Sequence, residues 1–125
     1  MMSPLVAQCL TYGVGVIQAS IATVEILIWN SPKVHNRLGY TLPEAQKVAP
    51  IVANAGLYNG FLAAGLFWSA RSGVAEHQVE MFFLTCVIIA GLFGAVTLKW
   101  TTLILQAMPA SLALWATWNL QSPHP

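Results

Sequence analysis

One carboxyl group, that of Glu25, lies within a long apolar run near the start of the sequence. Ionisable side chains are costly in hydrocarbon, so one that is retained there is a functional candidate by default. A protonated glutamic acid can donate a proton to a substrate oxygen, and its ionised form can abstract one. Glu25 is therefore the first candidate for acid–base chemistry.

Six further side chains in the apolar runs could form a site with this carboxyl. They are Gln18, Asn54, Tyr58, Asn59, Phe61 and Gln106. Gln18 lies seven residues before Glu25, and Asn54 lies four before Tyr58, so each pair shares a helical face. At about 1.5 Å of rise per residue, groups from three runs fall in one layer near the same membrane surface. We expect them to line a pocket between helices, the usual form of a small-molecule site in a bundle.

The roles within this predicted site follow from side-chain chemistry. The predicted catalytic residues are Glu25, as proton donor or acceptor, and Tyr58; the predicted substrate-binding residues are Gln18, Asn54, Asn59, Phe61 and Gln106. Two alternatives stay open for the carboxyl, which could be a structural hub hydrogen-bonded to Asn54 or Gln106, or could lie in the headgroup zone near Trp29. The three histidines lie in separate polar segments, so no metal site and no cofactor are expected.

The composition indicates an integral membrane protein. Of the 125 residues, 57% are hydrophobic and only 7% are charged, against about 25% charged in soluble domains. Four apolar segments are each near the roughly 20 residues that span a bilayer, and they lack the alternation of barrel strands. The sequence predicts one all-α domain over residues 1–125, with four transmembrane helices at about 5–29, 43–70, 79–98 and 100–119. The net charge of +1 gives no basis for nucleic-acid binding.

Short signals between the apolar segments predict helix ends and irregularities. Thr41, with Pro43 and Glu44 after it, has the pattern of a capped helix start. Pro50 and Pro109 should each perturb the helix that contains them. Glu80, together with Glu76, is expected to be solvated at the outer rim of the bundle.

Basic residues predict the orientation of the chain. Loops one and three lie on one side of the membrane and hold Lys33, Arg37, Lys47 and Lys99, whereas the other side holds Arg71. Because basic residues favour the cytoplasmic side, loops one and three should be cytoplasmic and both termini should face the opposite side.

Pairs of small residues predict close helix contacts. Gly56 and Gly60 form one such pair, and Gly91 and Ala95 form another. Small residues at this spacing let helix backbones approach closely. The contacts could lie within one bundle or between copies in a homo-oligomer.

Four stretches together resemble a known membrane family. Residues 54–65 read NAGLYNGFLAAG, residues 25–29 read EILIW, residues 91–94 read GLFG, and residues 106–110 read QAMPA. These resemble motifs of the small four-helix membrane proteins called domain of unknown function 1304. The resemblance covers nearly the whole chain and implies the four-helix fold without implying an activity. Family members often carry a Glu-His pair where this sequence has Ile17 and Gln18, and often Gln where it has Ala55.

Three functional hypotheses remain open from the sequence. The first is a membrane enzyme that acts on a lipophilic small molecule by metal-free isomerisation, cyclisation or epoxide opening, with Glu25 transferring the proton. The second is a small oligomeric, proton-coupled transporter that uses the same carboxyl. The third is an accessory subunit that packs on a larger membrane partner. In each case the lipid bilayer is the immediate partner.

Overall fold

Five α-helices make up most of the chain in the computed structural model, which describes residues 2–121 apart from the side chains of residues 74 and 75. Their bounds are α1 (Pro4–Thr23), α2 (Pro32–His35), α3 (Leu42–Ser72), α4 (His77–Thr97) and α5 (Met108–Gln121). Two π-helical turns, Val24–Ile28 and Leu103–Ala107, extend α1 and precede α5, and two 3₁₀ turns, Asn36–Leu38 and Gly73–Glu76, lie in loops. The described residues contain no strand, so the predicted all-α class is confirmed.

Three of these helical segments are long and apolar enough to cross a membrane. By length and composition they are Pro4–Ile28, Leu42–Ser72 and His77–Thr97. The fourth predicted span corresponds to the interrupted segment that ends in α5, and it is not among the three. The fold is therefore a helical bundle in which at least three helices have the length and composition to span a membrane.

The core of the bundle receives side chains from α1, α3, α4 and α5. Val14, Leu66, Leu84 and Val87 are fully or almost fully buried together with small alanines of α5. The outward faces carry large apolar side chains, among them Val96, which is 87% exposed. Such a contiguous apolar exterior suits contact with lipid or with another membrane protein.

Local signals explain where α3 and α5 begin. Glu44 accepts a hydrogen bond from the backbone N–H of Thr41 at 2.8 Å, so the predicted helix start is confirmed. α3 remains helical through Pro50. The π-helical turn Leu103–Ala107 ends two residues before Pro109, where a proline removes a donor and crowds the preceding turn.

The first loop is more structured than the sequence predicted. It contains α2 and a 3₁₀ turn, and the buried Trp29 donates its indole N–H to the carbonyl of Ala45 at 2.9 Å. Lys99 in the third loop donates to the carbonyl of Arg37 at 3.0 Å. Loops one and three therefore meet at the same end of the bundle.

Two of the glycines identified in the sequence are used in packing within the chain. A Cβ at Gly56 would lie 2.9 Å from the Cβ of Glu25, and one at Gly91 would lie 2.7 Å from the backbone nitrogen of Ala107. Both positions thus bring neighbouring helices of one bundle into close contact. A homo-oligomer through Gly56/Gly60 or Gly91/Ala95 stays a prediction.

Candidate functional site

The Glu25 carboxyl is bound by a neighbouring helix. Asn59 of α3 donates from Nδ2 to Oε2 of Glu25 at 2.8 Å, and both side chains are partly buried. The partner differs from the two that the sequence suggested for a structural hub, Asn54 and Gln106. The contact joins the end of the first span to the middle of the second.

Backbone geometry sets the position of this carboxyl. Glu25 lies in the π-helical turn Val24–Ile28, and Gly56 lets α3 approach that turn closely. Single π turns inside α-helices occur frequently at functional sites because they redirect a side chain out of the regular helical register. The combination places Glu25 against Asn59, which lies three residues after Gly56 on α3.

The predicted face of α3 that carries Asn54, Tyr58 and Phe61 points away from Glu25. Tyr58 and Phe61 do pack together, with ring centroids 5.8 Å apart, but they are 61% and 55% exposed. Asn54 is also exposed. The prediction that these three line an interhelical pocket with Glu25 is therefore wrong, because the α1-facing side of α3 is the opposite one, marked by Gly56.

Two predicted residues on other helices do face the interior to some degree. Gln18 is fully buried, and neither its amide nitrogen nor its amide oxygen has a hydrogen-bond partner. Gln106 is half-buried within the π-helical turn that precedes α5. Gln18 shares the α1 face of Glu25 but lies two turns away, about 10 Å along the axis.

Two surface grooves lie away from this carboxyl. One of about 640 Å³ runs between α4 and α5 and is lined by Met81, Phe82, Trp115 and other side chains. The other, of about 610 Å³, lies between α1 and the start of α5 and includes Ile17 and Met108. Neither of these two grooves is lined by a predicted site residue.

Comparison with known proteins places the chain in a family. Residues 13–118 match the family described as "Protein of unknown function (DUF1304)". The chain belongs to the DUF1304 family. The resemblance inferred from the sequence motifs is thereby confirmed. No curated protein and no solved structure matches significantly.

This DUF1304 protein also holds a buried carboxyl, that of Glu80, which the sequence predicted to be solvated. Glu80 is only 3% exposed and accepts a hydrogen bond from the hydroxyl of Thr11. The expectation that Glu80 is solvated at the rim is wrong, because Glu80 and His77 lie on the core-facing side of α4 with Leu84. A sequence signal was present: Thr11, Gln18 and Glu25 recur at intervals of seven residues, so α1 carries a polar line along one face.

Proposed function

We propose that this DUF1304 protein is a membrane-embedded enzyme that acts on a lipophilic small molecule by metal-free acid–base chemistry. The observation that carries the proposal is the hydrogen bond from Asn59 to Glu25 inside an apolar bundle. An ionisable side chain retained in a membrane segment, and held by an amide from a second helix, has the properties of a positioned acid–base group.

The geometry gives the two residues different roles. Asn59 binds Oε2 of Glu25 and so fixes the carboxyl plane, which leaves Oε1 to deliver a proton to the substrate or remove one from it. Isomerisation and cyclisation need one proton delivered and one removed, and opening of an epoxide with water needs a proton at the leaving oxygen. Glu25 is the acid–base residue in each case, and Asn59 replaces Tyr58 as its partner.

The proposal includes a placement in the membrane. Four helices cross the bilayer, with loops one and three in the cytoplasm and both termini on the other side. The contact of Lys99 with Arg37 supports a shared side for these two loops. Glu25 then lies in the cytoplasmic half of the membrane, and the exposed side chains around the π-helical turn, such as Leu27, face lipid from which the substrate enters.

The test compares the lipophilic metabolites of membranes that contain the wild type or Glu25→Gln. Untargeted mass spectrometry should find a compound that accumulates with Glu25→Gln and is converted with the wild type to a product of equal mass, or of one added water. Glu44→Gln is the matched control, because it makes the same change at an exposed carboxyl and Gln also suits the capping position.

The outcomes separate the hypotheses. A conversion that persists with Glu25→Gln, at wild-type protein levels, refutes the acid–base role. If no metabolite differs but Glu25→Gln abolishes pH-dependent flux in proteoliposomes, the carboxyl serves transport. If neither differs and a co-purifying membrane protein is lost, the chain is an accessory subunit.

A further inference from the structure

A group of buried polar side chains lies at the end of the bundle opposite to Glu25. The group, called here the Glu80 cluster, consists of Thr11 from α1, His77 and Glu80 from α4, and Thr117 from α5. Each of the four is at most 6% exposed. Burying this many polar groups is costly unless each finds a hydrogen-bond partner.

Helix register brings the four side chains into one layer. Thr11 contacts Glu80 directly, and His77 lies one turn before Glu80 on the same face of α4. Gly91 of α4 packs against Ala107, next to α5, and the two helices run antiparallel. Ten residues before Gly91 is Met81 and ten residues after Ala107 is Thr117, so these two residues lie at the same level of the bundle. Thr117 also shares the inner face of α5 with the fully buried Ala110 and Ala113. It therefore faces the interior at the level of Glu80.

The cluster contains polar atoms that its own side chains leave without partners. The hydroxyl oxygen of Thr117 and Nδ1 of His77 are buried and have no hydrogen bond, in contrast to Thr11, which donates to Glu80. Within the described residues no lysine or arginine forms an ion pair with Glu80. A buried carboxylate without a counter-charge is costly, so a cation bound beside Glu80 would stabilise it.

We propose that the Glu80 cluster binds a primary ammonium group. Such a group carries one positive charge and three N–H donors, and the cluster offers three acceptors: the Glu80 carboxylate, the Thr117 hydroxyl and Nδ1 of His77. The charge of the ligand compensates Glu80, and its donors satisfy the two partnerless atoms. A quaternary ammonium group matches the charge but has no N–H donor for the two partnerless atoms.

The position of the cluster suits a ligand that arrives at the membrane surface. His77 is the first residue of α4, so Glu80 lies about 4.5 Å inside the helix end. An ammonium group at this depth can come from the headgroup of an aminophospholipid or from a free alkylamine in water. The cluster lies fourteen residues along α1 from Glu25, about 21 Å, so it is separate from the proposed acid–base site.

The experiment measures selectivity for primary over quaternary ammonium groups. The full chain is placed in nanodiscs of equal parts phosphatidylethanolamine and phosphatidylcholine, and native mass spectrometry counts the lipids that remain bound. In parallel, thermal unfolding in detergent is followed with butylammonium chloride or tetramethylammonium chloride. We expect selective retention of phosphatidylethanolamine, selective stabilisation by butylammonium, or both. The first assigns a lipid headgroup as the ligand, and the second assigns a free amine.

Two variants test whether the cluster is responsible. Glu80→Gln removes the charge and Thr117→Val removes one acceptor; each should lower the affinity for the primary ammonium by about tenfold or more, the effect of one charge-assisted hydrogen bond. Glu76→Gln, the same change at a less buried carboxyl at this end, should leave it unaltered. Thr117→Val decides the question if Glu80→Gln fails to fold. The proposal is overturned if the wild type does not distinguish the two ammonium types, or if its preference survives in both variants.

Discussion

The close approach of α3 to the π-helical turn predicts a strong difference between two neighbouring glycines. A Cβ at Gly56 would lie 2.9 Å from the Cβ of Glu25, 2.9 Å from Cγ1 of Ile26 and 3.2 Å from the carbonyl oxygen of Ala22. The Cβ and carbonyl atoms cannot rotate away, so Gly56→Ala must separate the helices. At Gly60 the nearest atom to a new Cβ is 3.9 Å away, an ordinary contact.

The magnitudes follow from two opposing effects. Alanine is more favourable than glycine in a helix interior by about 0.5–1 kcal/mol, and overpacking a close contact costs about 1–3 kcal/mol. Gly60→Ala should therefore raise the free energy of unfolding by about 0.5–1 kcal/mol. Gly56→Ala should lower it by up to about 2.5 kcal/mol. It should also weaken the hydrogen bond from Asn59 to Glu25, because the two helices that carry these residues move apart.

Equilibrium unfolding in mixed detergent and dodecyl sulfate micelles, followed by circular dichroism, measures both variants under one condition. The metabolite comparison described above supplies the second readout, in which Gly56→Ala loses conversion and Gly60→Ala keeps it. Equal stability of the two alanine variants would refute the close packing of α3 on the π-helical turn. Full conversion by Gly56→Ala would refute the dependence of Glu25 on that packing.

Two further predictions concern the other polar residues on the same face of α1. Gln18→Met should stabilise the chain by about 1–3 kcal/mol, because it removes two buried amide atoms that have no partner; a loss of stability in the same unfolding assay would mean that water or a ligand binds the amide. Thr11→Val should cost about 1.5–3 kcal/mol, because Glu80 loses the hydroxyl donor of Thr11 while staying buried. An unchanged unfolding midpoint for Thr11→Val would contradict that hydrogen bond.

The helices could be predicted from the sequence because local signals determine them. Apolar runs of membrane-spanning length, a capping box and a proline act over one or a few turns, and α3 begins where Thr41 and Glu44 predicted. The short α2 was missed because four residues in a polar loop give no periodic signal. The fourth span was predicted as one continuous helix, but a π-helical turn precedes α5, because Pro109 perturbs the turn before it.

The orientation of each helix about its axis was much harder to predict. In a membrane helix both faces are apolar, so Phe61 on the outside and Leu66 in the core look alike in sequence. Asn54 and Tyr58 do share one face of α3, as their spacing predicted, but that face is exposed and does not contact α1. The informative residues were the small ones: Gly56 marks the side that approaches α1, because only small residues permit close backbone contact in membranes. Asn59 lies three residues after Gly56, so it could have been predicted on the same side of α3, towards Glu25.

The polar line on α1 holds the partly buried Glu25 at one end and Thr11, the partner of the buried Glu80, at the other, without joining the two carboxyls. Asn59 binds Glu25 at one end, Thr11 binds Glu80 at the other, and the apolar side chains of the core, including Val14 and Val87, fill the layer between. Sites more than about 10 Å apart that share no partner contribute additively to stability, within about 0.5 kcal/mol. Asn59→Ala and Thr11→Val should therefore give additive losses in a double-mutant cycle. A coupling energy well above that limit would mean that the two ends communicate through α1, and the bundle would then contain one extended site in place of two.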